Sequence, residues 1–491
     1  MKSYYCNAQT MGFTALLSSL GVIILLRLLY RRLCGSLTHL PGPEISRWTE
    51  VPSVIYWLLG RKTEYIHYLH GKYGPIVRVN PEEVDICDID AAKAIHRSSG
   101  RFLKSAFYQT LTPPGTENVF STTNITFHAR HRRLLATPIS DSSLAAFEPV
   151  IAGKVRLAVS RMAEEMRSRC SMDIFKWWLF MANDIIGELS FGESFHMLES
   201  GKKNQYILDL ERTSSLAPVR TTFPSLVQLG SFIPLPLFRS VAEAGKRLRS
   251  YAQQSVDRYH LLMHESGSRA KPTLFKKLYN AGREGLSNTE IRNDAQAYIV
   301  AGSDTTAVSL TYLVYAACRS ESIRRRLTDE LDALPEPFTD RMLRNLPYLN
   351  QVINETLRLY PAVPSGLPRS VPPEGAEFLG FRLPGGVTVT TQAYSLHRLE
   401  NIFAEPERFN PDRWETISKG MSDAFMPFGK GSRSCLGMHL ARMELRLATA
   451  LFFRAFPRAR VSAKEGMKDE DMRVESYFLM APRGHRCLIE A

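Results

Sequence analysis

The feature that most constrains this chain is one cysteine inside a glycine-rich basic loop, FGKGSRSCLG at residues 428–437. Cys435 has no second cysteine near it, so the loop shows neither a local disulfide nor the paired spacing of a zinc site. The chain has seven cysteines, an odd number, and none forms a CxxC pair. This distribution argues against a disulfide framework and for a reducing compartment. The thiol therefore needs another explanation.

The residues around Cys435 suit a thiolate that faces a flat, anionic ligand. A helical pattern begins at or just after the cysteine, and free N–H groups at a helix start favour a thiolate over a thiol. Phe428 can shield the sulfur, and Arg433 offers a charged fork to an anion. Three glycines leave room for a planar group to lie against the backbone. These are Gly429, Gly431 and Gly437. Together these features indicate haem with cysteine as its axial ligand.

The pattern Phe-Gly-x-Gly-x-Arg-x-Cys-x-Gly at 428–437 resembles the haem-binding signature of the cytochrome P450 monooxygenases. A phosphate-binding loop is a weak alternative, because Ser434 stands where GxGxxG needs its third glycine and no GxxxxGK[ST] occurs. The resemblance implies a mainly α fold with a minor β part, in a single haem domain behind an N-terminal transmembrane helix. It also implies haem b held by the Cys435 thiolate, with O2 as co-substrate.

A second motif, AGSDTT at 301–306, lies inside an apolar helical run. A buried acid beside a hydroxyl is costly in the middle of a helix unless it has a task. The alternative is a capping or surface acid, since Asp-Thr-Thr is frequent in loops. The resemblance implies that Thr305 supports dioxygen activation and that Asp304 relays protons. It also implies that Ala301 and Gly302 lie over the haem, where Gly302 would leave room for the cofactor.

A third motif supplies structural charges. Glu355 and Arg358 are three residues apart in a helical pattern, so they lie on one face and can pair. The resemblance implies that a second arginine completes a buried triad. The register of Pro-x-x-Phe-x-Pro-x-Arg at 406–413 assigns this role to Arg413 and not to Arg408.

Further cations match positions that bind the haem propionates in the family. His128 and Arg132 are four residues apart and share a helix face. The family often has Trp at the position of His128, whose charge depends on pH. The alternative for this stretch is a solvated basic face, because three neighbouring residues are also basic. Arg369 matches another propionate-binding arginine.

The N-terminal part predicts a membrane anchor. Residues 11–30 form an apolar run of about 20 residues, which as a helix spans about 30 Å, the thickness of the bilayer core. Arg31 and Arg32 follow it, so the positive-inside bias places the rest of the chain in the cytosol. We expect an anchor at 1–30, a basic, proline-containing tether at 31–45 and a catalytic domain at 46–491. A cleaved signal peptide is the alternative.

The resemblance also implies partners and a location. No flavin or nicotinamide domain is evident, so electrons must come from an NADPH–cytochrome P450 reductase, with cytochrome b5 as a further candidate donor. The formal net charge of +13 fits an acidic partner or an anionic membrane surface. We expect a monomer in the endoplasmic reticulum membrane that binds no nucleic acid. The candidates for reductase contact are Arg130, Arg132, Arg133, Lys430, Arg442 and Arg446.

The substrate is expected to be an apolar small molecule. Segments such as SSLAAFEP resemble filamentous-fungal enzymes of secondary metabolism, including trichothecene-pathway hydroxylases. This likeness implies hydroxylation of a terpenoid, polyketide or alkaloid-like intermediate, as in mycotoxin biosynthesis. The alternatives are desaturation, epoxidation or ring closure by the same oxidant, and a non-catalytic haem sensor, which would not need the acid–alcohol pair.

The apolar, proline-interrupted segment 213–240 is either a buried loop or a lid. The pocket candidates are Phe107, Ala297, Tyr298, Val363, Leu367 and Phe478.

Overall fold

The computed structural model describes most of the chain from residue 33 to residue 491. The described residues are 18–19, 21–23, 25–27, 29–30 and 33–491, except 99, 114, 215–216, 224–239, 241–242, 249, 252, 255–256, 258–272 and 275–286. The predicted anchor and the predicted lid therefore fall largely outside them. Within the described part, no helix is both long enough and apolar enough to cross a membrane.

Helices dominate the described residues, as the sequence predicts. Those before residue 225 are α1 (Val51–Leu58), α2 (Lys62–Tyr73), α3 (Ile89–Ile95), α4 (Phe107–Leu111), α5 (Ile125–Ala136), α6 (Asp141–Leu144), α7 (Glu148–Arg169), α8 (Ile174–Phe191), α9 (Met197–Ser200), α10 (Gln205–Ser214) and α11 (Ala217–Thr222). Those after residue 286 are α12 (Asn288–Cys318), α13 (Glu321–Asp332), α14 (Asp340–Leu343), α15 (Pro347–Leu359), α16 (Ala393–Leu396), α17 (Lys419–Ala424) and α18 (Met438–Ala455).

The strands are short and form small sheets at the edge of the helical body. They are β1 (Ile76–Asn80), β2 (Glu83–Ile86), β3 (Leu103–Lys104), β4 (Met172–Asp173), β5 (Arg369–Ser370), β6 (Ala376–Phe378), β7 (Phe381–Leu383), β8 (Thr388–Thr390), β9 (Arg460–Val461), β10 (Val474–Ser476), β11 (Met480–Pro482) and β12 (Leu488–Glu490). The largest sheet has the order β1-β2-β8-β5-β3, in which β2 and β8 are parallel. Its β3–β5 pair places Lys104 opposite Arg369. The predicted minor β part is confirmed.

Helix α12 runs through the centre of the body. Its start is specified by a capping box: Glu290 N donates to Ser287 Oγ at 3.2 Å, and Ser287 N donates to Glu290 Oε2 at 2.7 Å. The helix packs against α8, α15 and α18, and most of its side chains from Ser303 onward are buried. Ala301, Asp304 and Thr305 differ, because all three keep accessible surface near the middle of the helix. Because protein surrounds the helix, the accessible surface at these positions belongs to an internal cavity.

The proline-containing tether packs onto the sheet. Leu37 and Leu40 are 1% exposed and join the apolar cluster under β1, β2 and β8. The buried Arg78 of β1 donates to the carbonyl oxygens of Leu40 at 2.6 Å and Pro43 at 3.0 Å. These contacts satisfy a buried charge with backbone acceptors. From residue 37 onward, the tether is therefore part of the folded body.

A buried carboxylate holds the segment before the cysteine loop. Glu355 of α15 is 0% exposed and accepts two hydrogen bonds from Arg358, both at 2.8 Å. It also accepts from Arg413 Nε at 3.1 Å and from Trp414 Nε1 at 2.9 Å. Arg408 pairs instead with Glu405 at the surface. The structure thus brings together the three charges that the motif register selected.

We expect Arg413→Leu to destabilise the protein by roughly 3 kcal/mol, because it removes one partner of a buried charge. Arg408→Leu is the matched control: this side chain is 66% exposed, and its loss should change the free energy of unfolding by about 0.5 kcal/mol or less. Urea unfolding followed by circular dichroism measures both. Equal effects for the two variants would contradict the assignment of Arg413.

Candidate active site

The cysteine loop forms a tight turn before α18. Cys435 N donates to Phe428 O at 2.8 Å, which closes the loop across the glycines. The helix begins at Met438, shortly after the cysteine, with Gly437 as its N-cap. Phe428 packs against the main core, and Cys435 keeps accessible surface although protein surrounds it. The thiol therefore faces the interior cavity.

Opposing influences act on the thiol. Burial raises the pKa of Cys435, whereas the Gly437 amide and the charge of Arg132 lower it. The amide and the guanidinium both favour the thiolate over the thiol. The surroundings are thus suited to a sulfur whose negative charge is shared with a bound cation.

Gly431 allows the loop to lie against the chain after α3. Its φ is +68°, and a Cβ at this position would lie 1.8 Å from His96 O. The contact is with backbone, which cannot turn aside as a side chain can. Any other residue at 431 would therefore displace the loop.

We expect Gly431→Ala to abolish the fixed position of Cys435, because its methyl group overlaps the His96 carbonyl. Gly466→Ala is the control: Gly466 has the same φ of +68°, but no atom lies within 4 Å of the place that a methyl group would take. It should cost about 1–3 kcal/mol of backbone strain and leave the site intact. Haem content per polypeptide after purification distinguishes the two. Full haem content in Gly431→Ala would contradict this steric argument.

The open positions near the middle of α12 carry the acid and the alcohol. Thr305 Oγ1 donates to Ala301 O at 2.7 Å, one helical turn earlier. Ala301, Asp304 and Thr305 all keep accessible surface. Burial within the protein raises the pKa of Asp304 to about 6; the charge of Glu211 adds to this rise and Lys203 opposes it. Asp304 can thus hold and release a proton in the range where enzymes work.

Gly302 has a different role from the one predicted. A Cβ at this position would lie 3.0 Å from Ile186 Cγ1 on α8. Gly302 therefore lets α12 and α8 pack closely, and its missing side chain does not provide space for a cofactor.

Five basic groups gather beside the cysteine loop. They are Lys104, His128, Arg132, Arg369 and Arg433. Burial and three neighbouring arginines lower the pKa of Lys104 well below its ordinary value. Burial, followed by the other four groups, lowers the pKa of His128 to about 3. Among the described residues, no carboxylate forms an ion pair with any of the five. Such a cluster favours a ligand with several negative charges.

Arg433 belongs to the cysteine loop itself, and Arg132 contacts the loop from α5. Arg132 donates from Nη1 to Ser434 O at 2.8 Å and from Nη2 to Ser434 Oγ at 3.1 Å. Arg369 is 5% exposed and, within the described part of the chain, its Nε has no hydrogen-bond partner. A buried donor without a partner marks a place where an acceptor is required.

Comparisons with known proteins show the family of this chain. A family model described as cytochrome P450 matches residues 46–488. The chain belongs to the cytochrome P450 family. Cytochrome P450 monooxygenase tazI of Aspergillus terreus is 50% identical over 472 residues, 96% of each chain. Cytochrome P450 monooxygenase orf2 of Aspergillus niger is 46% identical over 98% of each chain. Cytochrome P450 monooxygenase aflV of Aspergillus parasiticus is 35% identical over 95% of this chain and 93% of its own. The predicted family and enzyme class, a haem-thiolate monooxygenase, are confirmed.

The residues present fit the haem that the P450 family implies. A cysteine faces the cavity from a loop whose glycines leave the backbone bare, and the basic cluster lies at its side. Among the residues that the structure describes, no carboxylate pairs with the cluster, and the two propionates of haem are anions that its charges would accept. The unpartnered Arg369 Nε is one donor available to them.

Two buried residues of this P450 lie outside the sequence motifs and were not predicted. Lys104 lies in an apolar stretch of the sequence, and only the β3–β5 pairing shows that it joins the basic cluster. Glu444 of α18 is 1% exposed; burial raises its pKa to about 8, and a hydrogen bond with Thr306 opposes this rise. For Lys104 the available signal was a lone charge in an apolar stretch, whereas Glu444 stands between Arg442 and Arg446 and no such signal marked it.

Three of the predicted pocket residues, Phe107, Phe478 and Tyr298, have side-chain contacts that show where they lie. Phe107 and Phe478 lie in one aromatic cluster, with ring centroids 6.4 Å apart. The hydroxyl of Tyr298 approaches Leu135 O on α5 at 3.4 Å, so its polar end is directed toward that helix. Ala297, Val363 and Leu367 are half-buried.

The predicted reductase-contact residues differ in availability. Arg446 is 6% exposed and forms a bidentate pair with Asp340, with distances of 2.6 and 2.9 Å, so it cannot meet a partner protein. Its selection as a contact residue was wrong, because the helical pattern did not show which face of α18 is buried. Arg133 is exposed and remains a candidate.

Proposed function

We propose that Cys435 is the axial ligand of haem iron in this monooxygenase, and that His128, Arg132, Arg369 and Arg433 hold the propionates. The observation that carries this proposal is the enclosed basic cluster beside a cysteine that faces the same cavity. Lys104 adds a fifth positive group when an anion is bound. Bound haem supplies the activation of O2 for insertion of one oxygen atom into a C–H bond.

Asp304 and Thr305 are the proton-handling groups of this site. The pKa of about 6 lets the Asp304 carboxyl take a proton from its surroundings and pass it on. Thr305 Oγ1 uses its own proton in the bond to Ala301 O, so its oxygen can accept a hydrogen bond from a group in the cavity. The pair thus delivers protons at one side of the cavity while the surrounding apolar side chains exclude bulk water.

The substrate is proposed to be an apolar intermediate of fungal secondary metabolism, and the reaction its hydroxylation. The three similar proteins named above are Aspergillus monooxygenases, and their matches span nearly the whole of each chain. The aromatic cluster that contains Phe107 and Phe478 offers an apolar surface to such a ligand.

Electrons are proposed to come from an NADPH–cytochrome P450 reductase that docks through exposed basic residues such as Arg133.

The apolar run at 11–30 is proposed to anchor the chain in the endoplasmic reticulum membrane, with the catalytic domain in the cytosol. Val51, Ile55 and Leu59, which are each at least 50% exposed at or next to α1, add an apolar surface close to the tether.

The axial ligand is tested by the carbon monoxide difference spectrum of the reduced protein. Wild type should show the strongly red-shifted band of thiolate ligation, and Cys435→Ser should lose it. Cys170→Ser is the control, because Cys170 is an exposed free cysteine distant from the loop in sequence and should not alter the band. Persistence of the thiolate band in Cys435→Ser would overturn the assignment.

The role of Thr305 is tested by the coupling of NADPH use to product. Thr305→Ala should divert most of the NADPH to peroxide or water, measured with the reductase and a substrate identified by feeding pathway intermediates. Thr311→Ala is the matched control, since Thr311 Oγ1 makes the same bond to the carbonyl four residues earlier, at 2.7 Å, but is fully buried. If both variants couple as well as wild type, Thr305 does not have this role.

A further inference from the structure

His131 lies in the protein interior, although its sequence neighbours suggested a solvated basic face. Its side chain is 0% exposed, between α5 and α12. Nδ1 is hydrogen-bonded to Asp294 Oδ2, and Asp294 is also 0% exposed. A polar pair buried so completely must be matched internally, because water cannot reach it. The pair connects the helix that carries Arg132 with the helix that carries Asp304.

The surroundings of His131 hold its ring in one orientation. Phe127 stacks on the imidazole with ring centroids 3.8 Å apart and an interplanar angle of 14°. The second ring nitrogen, Nε2, lies 3.5 Å from Glu290 Oε1. Glu290 is itself fixed by the capping box with Ser287. The imidazole therefore has little freedom to turn away from Asp294.

Asp294 uses its other oxygen to hold a loop. Val119 N donates to Asp294 Oδ1 at 2.8 Å, and both groups are buried. The preceding residue of α12 acts on the same loop, because Asn293 Nδ2 donates to Glu117 O at 3.1 Å. Two adjacent side chains of α12 thus form hydrogen bonds with the backbone of residues 116–122, which we call the clamped loop.

The clamped loop is also held from the basic cluster and contributes to the pocket. Lys104 Nζ donates to Phe120 O, and Arg433 Nη1 approaches Thr122 O at 3.5 Å. The Phe120 ring packs edge-on against Phe478, with centroids 5.5 Å apart. The position of the loop backbone therefore sets where Phe120 stands in the aromatic cluster.

We propose that Asp294, oriented by His131, is a positioning residue that fixes the clamped loop and thereby sets how tightly the pocket holds a ligand that reaches Phe120. This inference rests on the proposed function, because it takes the aromatic cluster to border the haem pocket. It goes beyond that function in assigning a role in ligand selection to a pair that neither contacts the cysteine loop nor belongs to a motif.

The test compares two ligands of haem iron in the purified holoenzyme. 4-Phenylimidazole extends an aromatic ring into the pocket, whereas imidazole stays near the iron. In Asp294→Ala the dissociation constant of 4-phenylimidazole should rise about tenfold or more, and that of imidazole should change by no more than about twofold. Hydrogen exchange of the Val119 amide should accelerate in the same variant, because its acceptor is lost.

Two further variants separate loop positioning from general damage. Asp294→Asn keeps an oxygen that accepts from Val119 N and should retain the selectivity of wild type. Asp184→Ala removes another 0%-exposed carboxylate that accepts two backbone N–H groups, from Met197 at 3.0 Å and Leu198 at 2.9 Å, at the contact of α8 with α9. It should lower stability without changing the ratio of the two dissociation constants.

The outcomes are distinguishable. An unchanged ratio in Asp294→Ala, an equal change in Asp184→Ala, or a loss of selectivity in Asp294→Asn as large as that in Asp294→Ala overturns the inference. If Asp294→Ala does not incorporate haem, Asp294→Ser is measured in the same way, since its hydroxyl is too short to reach Val119. The carbon monoxide spectrum of wild type separates failure of the proposed function from failure of this inference. Absence of the thiolate band would contradict the proposed function. A normal band with an unchanged ratio of the two dissociation constants in Asp294→Ala would contradict only the role of Asp294.

Discussion

The buried charge of Glu355 is the constraint from which the position of the cysteine loop follows. Arg358 neutralises it and also donates to His397 O at 2.9 Å. Burial lowers the pKa of His397 to about 3, so the ring is neutral and its Nε2 accepts from Met426 N at 2.9 Å. Met426 lies two residues before the loop. An unbroken series of buried hydrogen bonds therefore connects a carboxylate in α15 to the backbone that leads to Cys435, and each group in it would be costly to leave unpaired.

The charges beside the cysteine loop are not paired as those around Glu355 are. Positive groups gather there, and among the described residues they have no carboxylate partners. Lys104 comes from β3, Arg369 from β5 and Arg132 from α5, so three separate elements meet there. In the network of Glu355 the protein satisfies its own charges, which makes it rigid. In the basic cluster no carboxylate among the described residues balances the positive charges, so the cluster is suited to hold an anion. The contact of Arg132 with Ser434 joins the basic cluster to the cysteine loop.

Much of the site could be predicted because its motifs are local. The loop at 428–437, the acid–alcohol pair and the preference for Arg413 over Arg408 each depend on spacing within a few residues. The errors have a common cause. Arg446 was expected at the surface but is buried, and the alternative of a solvated basic face fails at His131, which is enclosed. Gly302 faces a neighbouring helix. Which side of a helix meets protein depends on elements far away in sequence, and a short charged pattern does not specify it.

The sequence by itself determined the family, the thiolate chemistry and the mainly helical fold, because these follow from residue types at fixed short spacings. Only the tertiary structure decided which charges are paired. Lys104 joins the basic cluster through a strand pairing, and burial of Glu444 where α18 packs on α12 raises its pKa to about 8. The link from His131 through Asp294 to Val119 likewise spans three segments. The physical reason is that the energy of a charge depends on its burial and its partners, and both are set only when distant parts of the chain meet.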